Sequence, residues 1–171
     1  ASDVYKRQDK VRPGGVVAFV TSKGTMDKKN NLVRSYLSQR AELLGAIRLP
    51  NTAFKGNAGT EVTSDILFFQ KREGISYDSP EWLDIGVNED GIELNQYFLN
   101  HPEMVLGHME EVSGPYGKET ACIPLEGADL KEQLDVAITK VQGQIFVENP
   151  EVVIEEDQRD IPATVSYTHL R

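Results

Sequence analysis

Asn51-Thr-Ala-Phe54-Lys55 opens a polar loop between two apolar runs. Phe54 offers an aromatic plane there, and Lys55 beside it offers a cation. Arg48, at the end of the first run, offers a second cation, and Thr60 and Thr63 on the far side of the loop offer hydroxyls. A plane flanked by charge suits a planar ligand that carries a phosphate, with stacking for the ring and ion pairing for the anion. The same residue types have plain structural uses. A large apolar side chain in a loop often tucks into the core, and Thr commonly sits at strand-entry turns. Gly56-Asn-Ala-Gly59 has the glycines of a backbone nest for phosphate, although no helical pattern comes after it.

The elements that must hold this loop are legible around it. RPGG at 12–15 is a turn signal, and VVAFVTS at 16–22 reads as a central strand buried on both faces. Leu32, Val33, Tyr36, Leu37 and Ala41 recur at helical spacing, with Arg34, Ser35, Ser38 and Gln39 on the other face. Leu43 to Leu49 reads as a second strand closed by Pro50, and Asp65 to Gln70 as a third. A helical crossover between buried strands predicts parallel pairing of the first two, while the third is free to pair antiparallel.

Beyond residue 73 the pattern changes. Trp82, Leu83 and Ile85 mark a short apolar element, Asn88-Glu-Asp-Gly91 a turn, and Leu94 to Asn100 one or two helical turns stopped by Pro102. Met104 to Val112 and Glu119 to Leu125 flank Ser113-Gly-Pro-Tyr-Gly117 and predict a hairpin. Asp129 and Glu132 have capping-box spacing ahead of a face of Leu130, Leu134, Ala137, Ile138 and Val141.

Composition narrows the function classes. The formal net charge is −9, yet residues 1–73 carry 13 Lys/Arg against 7 Asp/Glu and residues 74–171 carry 5 against 20. A basic front and an acidic back make an asymmetric molecule, in which only the front suits a polyanion. Cys122 is the only cysteine, so no intrachain disulfide forms, and the three histidines are too scattered for a zinc site or a Ser-His-Asp grouping. No apolar run reaches the roughly 18 residues of a membrane helix. A reducing cytoplasm fits this composition. ASDVYKRQ at the start and VSYTHLR at the end resemble translated adapter or cloning sequence, so residues 1–8 and 165–171 are set aside as non-native ends and the chain is expected to be an internal piece of a longer protein.

The order RPGG-VVAFVTS, helix, LLGAIRLP, N-x-x-F, GTEVTSDILFFQK resembles the late sheet region of amino-type DNA methyltransferases that act on adenine N6. It is similar in particular to methylases fused to helicase regions in bacterial mobile elements and phages, and more loosely to the modification subunit of type I restriction systems. The match covers about residues 11–73; LNQYFLNHPEMVLG and ADLKEQL also resemble the region downstream of the methylase in the mobile-element proteins. The resemblance implies an α/β fold: the C-terminal half of a Rossmann-like methyltransferase sheet over residues 9–73, then a small acidic α+β extension over 74–164. It implies that Phe54 packs on an adenine flipped out of double-stranded DNA, because a base inside the stack cannot present its exocyclic amine. Arg48, Lys55, Thr60 and Thr63 would complete the substrate-binding set.

The parent activity so implied is site-specific adenine-N6 methylation from S-adenosylmethionine, as in restriction-modification systems. The family's Gly-containing cofactor loop and its Asn/Asp-Pro-Pro-aromatic catalytic loop do not occur in this sequence. The segment is therefore expected to be inactive alone and to depend on the rest of the parent polypeptide, an upstream methylase half and a helicase region. The alternative is a non-catalytic, methylase-like module that positions DNA or an adjoining helicase region.

Overall fold

The structure is a computed structural model that describes residues 11–54 and 62–142, together with the backbone of strands at Val152–Glu156 and His169–Leu170. The fold is mixed α/β. β1 (Val16–Ser22) leads into a four-residue helix α1 (Gly24–Asp27) and then α2 (Leu32–Arg40). β2 (Ala41–Arg48) and β3 (Ser64–Lys71) stand on either side of the loop. β4 (Ile85–Val87), β5 (Glu93–Asn95), α3 (Gln96–Asn100), the hairpin β6 (Gly107–Gly114) and β7 (Gly117–Pro124), and α4 (Leu130–Gln142) make up the extension. β8 (Val152–Glu156) and β9 (His169–Leu170) return to the main sheet. The second of these lies in the tail set aside on sequence grounds, and it pairs antiparallel with β8.

The main sheet has the order β2-β3-β1-β8-β9. The expected direct pairing of β1 with β2 does not occur, because β3 inserts between them and runs antiparallel to both. β1 and β2 still point the same way, and β8 joins β1 in parallel. The reason lies in β3 itself: Leu67 and Phe69 are buried, and a buried strand must satisfy its backbone on both edges. A place between two co-directed strands supplies both edges.

Residues 11–73 and the extension share one core. Trp82, Phe98, Met104, Cys122 and Val141 belong to the same buried cluster as Phe19, Ile47 and Phe69. Phe69 meets Phe19 edge-on at 6.1 Å between ring centroids and Trp82 at 5.7 Å. α4 lies over β2 at Gly45, where an added Cβ would come within 2.8 Å of Val141 Cγ2. The tip of the β6–β7 hairpin turns through Gly117 at φ +118°, a backbone conformation that glycine takes at little cost.

α2 forms where its spacing predicts, but with a different face inward. Arg34, Leu37, Ser38 and Ala41 are buried, while Leu32 is 69% exposed. Arg34 donates to the carbonyl oxygens of Thr25 and Leu83, at 3.1 and 3.0 Å. Those two bonds tie α1 and the extension to α2, and burial holds the Arg34 pKa below its ordinary value. Among the described residues no helix is long and apolar enough to cross a membrane.

Candidate functional site

β1, β2 and β8 all end on one side of the sheet, and the loop after β2 leaves from that side. In open α/β sheets the crevice outside the carboxyl ends of the strands is where ligands bind. Here a crevice of about 630 Å³ lies at that end. Ser22 and Lys23 line it from the end of β1, Asn51 and Thr63 from the two sides of the loop, and Ser113 and Thr120 from the hairpin.

The hairpin is docked as a wall by three hydrogen bonds. The Cys122 amide donates to Thr63 Oγ1 at 3.0 Å, the Asn51 amide donates to the Cys122 carbonyl at 2.7 Å, and the Leu106 amide donates to the Arg48 carbonyl at 2.9 Å. The Cys122 thiol is inert at this junction, because burial pushes its pKa up to about 12.

Beneath the crevice lies a buried charge network. Arg48 is wholly buried, and its guanidinium meets Asp65 through two bonds of 2.8 Å and Asp27 through a third of 2.8 Å. Its carbon also sits 4.5 Å from the centre of the Phe98 ring. Burial works against the charge, and the two carboxylates outweigh it, so Arg48 stays protonated. Burial raises the Asp65 carboxyl, and the Arg48 guanidinium pulls it back. Asp27 uses its other oxygen to accept from the Asn95 amide at 3.0 Å. Asn95 is buried too, donating to the carbonyls of Met26 and Trp82 and capping α3 at the Tyr97 amide.

This geometry corrects two sequence expectations. Arg48 does not offer its charge to a phosphate: the guanidinium points into the core and is spent on Asp65 and Asp27. Thr63 is 4% exposed, and its hydroxyl is engaged by the Cys122 amide, which makes it a strut between loop and hairpin. Phe54 is half-buried and packs against Val20, as a loop anchor does. Lys55, Thr60 and the Gly56–Gly59 nest lie outside the described residues.

Sequence reasoning passed over Asn51. Its backbone is held by Cys122, its residue is 9% exposed, and its carboxamide makes no hydrogen bond to any described residue while lining the crevice. The signal available was position alone: Asn51 opens the turn that Phe54 closes. A second cavity, about 750 Å³, lies on the other side of Lys23 and is lined by Asp90, Glu93, Glu110 and Glu111. Glu119 lines both cavities, so the acidity of the back half reaches into the crevice as well as beside it.

No known family model, curated protein or solved structure matches the chain.

Proposed function

We propose that this chain supplies the target-base side of an S-adenosylmethionine-dependent adenine-N6 DNA methyltransferase, with residues 9–73 as the C-terminal half of its Rossmann-like sheet. The observation that carries the reading is the placement of the Asn51–Phe54 turn. It opens beside a polar crevice at the carboxyl ends of three co-directed strands. An extruded base needs a plane to stack on and polar groups to meet its edge, within a cleft too narrow for a duplex. Lys23 lines the crevice from the end of β1 and suits the DNA backbone.

The residues present do not fit the cofactor. The turn after β1 enters a four-residue helix whose only carboxylate, Asp27, is committed to Arg48 and Asn95. That leaves no acidic group there for ribose hydroxyls, and no step is routed through S-adenosylmethionine. The second reading, a non-catalytic methylase-like module that positions DNA for a helicase-containing parent, needs no cofactor site in this chain or upstream of it.

Titration of the chain into duplexes carrying 2-aminopurine opposite a mismatch tests the base-holding role. Extrusion of the probe raises its emission, and Phe54→Ala is expected to remove most of that rise. An unchanged signal in Phe54→Ala returns Phe54 to a loop anchor. No rise with the unmodified chain rejects the reading.

A further inference from the structure

We infer that the outer edge of β6 is a docking edge, which takes one added strand from a partner polypeptide whose extended segment alternates apolar with basic residues. Its role is independent of whatever the crevice holds.

The β6–β7 hairpin is a sheet of two strands, so each strand keeps one edge without a sheet partner. The Cys122 amide and carbonyl point out of the hairpin, to Thr63 Oγ1 and to the Asn51 amide. In an antiparallel ladder inward and outward pairs alternate. The pairs Met109–Cys122, Glu111–Thr120 and Ser113–Lys118 therefore all turn their N–H and C=O groups outward. On β7 that edge is used to dock Cys122. On β6 the outward groups of Met109, Glu111 and Ser113 bond to no backbone group among the described residues. Glu111 and Ser113 are exposed. A row of free donors and acceptors at strand spacing is a template for one more strand.

Space lies beside this edge. A cavity of about 460 Å³ is lined by Gly107, His108 and Met109 of β6 and takes its apolar lining from Val87, Phe98, Leu99 and Pro102. The acidic cavity of about 750 Å³ shares Asp90, His108 and Met109 with it and continues along β6 past Glu110 and Glu111. His108 Nε2 stands 3.8 Å from Asp90 Oδ2 where the two cavities meet. Both side chains are more than half exposed, so the contact is weak enough to yield to an incoming chain.

Charge selects the partner. Glu110 and Glu111 point to opposite faces of β6, because successive side chains of a strand alternate. Glu93 and Glu119 add to them, against Lys23 and His108. Glu93 pairs with Lys29 and Glu111 with Lys118 at exposed positions, where such pairs exchange readily for a partner's Lys. Opposite charges across a strand pair stabilise it and like charges oppose it. A second copy would set β6 against β6 and bring these carboxylates together, which disfavours self-pairing. A strand with Lys or Arg at alternate positions meets carboxylates instead, and the apolar residues between them suit the lining at Val87 and Leu99.

The test uses the full 171-residue chain and a fluorescein-labelled heptapeptide of alternating Lys and Val, with binding read by anisotropy. This peptide is expected to bind, and the same peptide with Glu in place of Lys is expected not to. Two further peptides, N-methylated at every Lys or at every Val, keep the charge and lose the backbone donors of one edge or the other. One of them is expected to bind at least about tenfold more weakly than the parent peptide and the other to match it, since an added strand pairs through one edge only. Glu111→Pro removes an outward N–H of β6 and leaves the β6–β7 ladder its bonds, so it is expected to weaken binding by a similar factor. A thermal melt establishes that this variant folds, and the two N-methylated peptides decide the matter on the unmodified chain. Equal binding of the three Lys peptides shows attraction by charge alone and overturns the inference, as does failure of the parent peptide to bind. A dimer in sedimentation that Glu111→Pro dissociates assigns the edge to a second copy and overturns it as well.

Discussion

The Arg48 guanidinium and the Asp65 carboxylate meet side-on, Nε to Oδ1 and Nη2 to Oδ2 at 2.8 Å each, with both side chains fully shielded from water. The pair joins the last residue of β2 to the second residue of β3 across the base of the loop. It fixes where the loop begins and ends, and hence where Asn51 and Phe54 sit.

Removing one member of this pair leaves the other charged and buried. Arg48→Met is expected to cost about 3–5 kcal/mol. Replacing Asp65 by Leu in the same chain is expected to recover part of that loss, since Asp27, still held by the Asn95 amide, is then the one carboxylate of the network left without its cation. Urea unfolding monitored by circular dichroism checks both values. A single-variant loss below about 1 kcal/mol would show that the network is dispensable.

Thr63→Val removes the acceptor that the Cys122 amide uses while nearly preserving volume. The stranded buried N–H is expected to cost about 1–3 kcal/mol. Hydrogen exchange gives the local reading: the Cys122 amide should exchange faster, while amides in the centre of β1 keep their protection. Unaltered protection at Cys122 would mean that the hairpin is held by its other bonds alone.

Asn95→Ala is expected to cost about 3 kcal/mol, because it strands the Met26 and Trp82 carbonyls and uncaps α3. The emission of Trp82, the only tryptophan, reports the loosening as a red shift in native buffer. A native-like spectrum together with unchanged stability would count against this account of how the extension docks.

Alkylation of Cys122 should track unfolding. Its thiol is buried and its pKa is pushed up to about 12, so almost no thiolate exists at pH 8 in the folded chain. Iodoacetamide labelling read by mass spectrometry is expected to be slow in buffer and rapid in denaturant. Rapid labelling in buffer would place the thiol at a mobile surface instead.

Local pattern determined a large part of this protein. The continuous apolar run at Val16–Ser22, the turn cluster between β6 and β7, and the period of α4 each reflect short-range physics that neighbours in the chain impose on one another. Which face of α2 turns inward was decided by tertiary structure. Arg34 is buried because carbonyls of Thr25 and Leu83 come within its reach, and Leu83 lies far along the chain. The place of β3 between β1 and β2 was likewise decided by the need of a buried strand for two paired edges.

The site divides in the same way. Sequence order set Asn51 and Phe54 on a loop between two strands. Only packing separated their neighbours by role, spending Arg48 on Asp65 and Asp27, committing Thr63 to Cys122, and leaving the Asn51 carboxamide open to the crevice. A side chain's type fixes which bonds it is able to make. Which of them it does make depends on groups brought close from distant positions, and spacing along the chain carries no record of that.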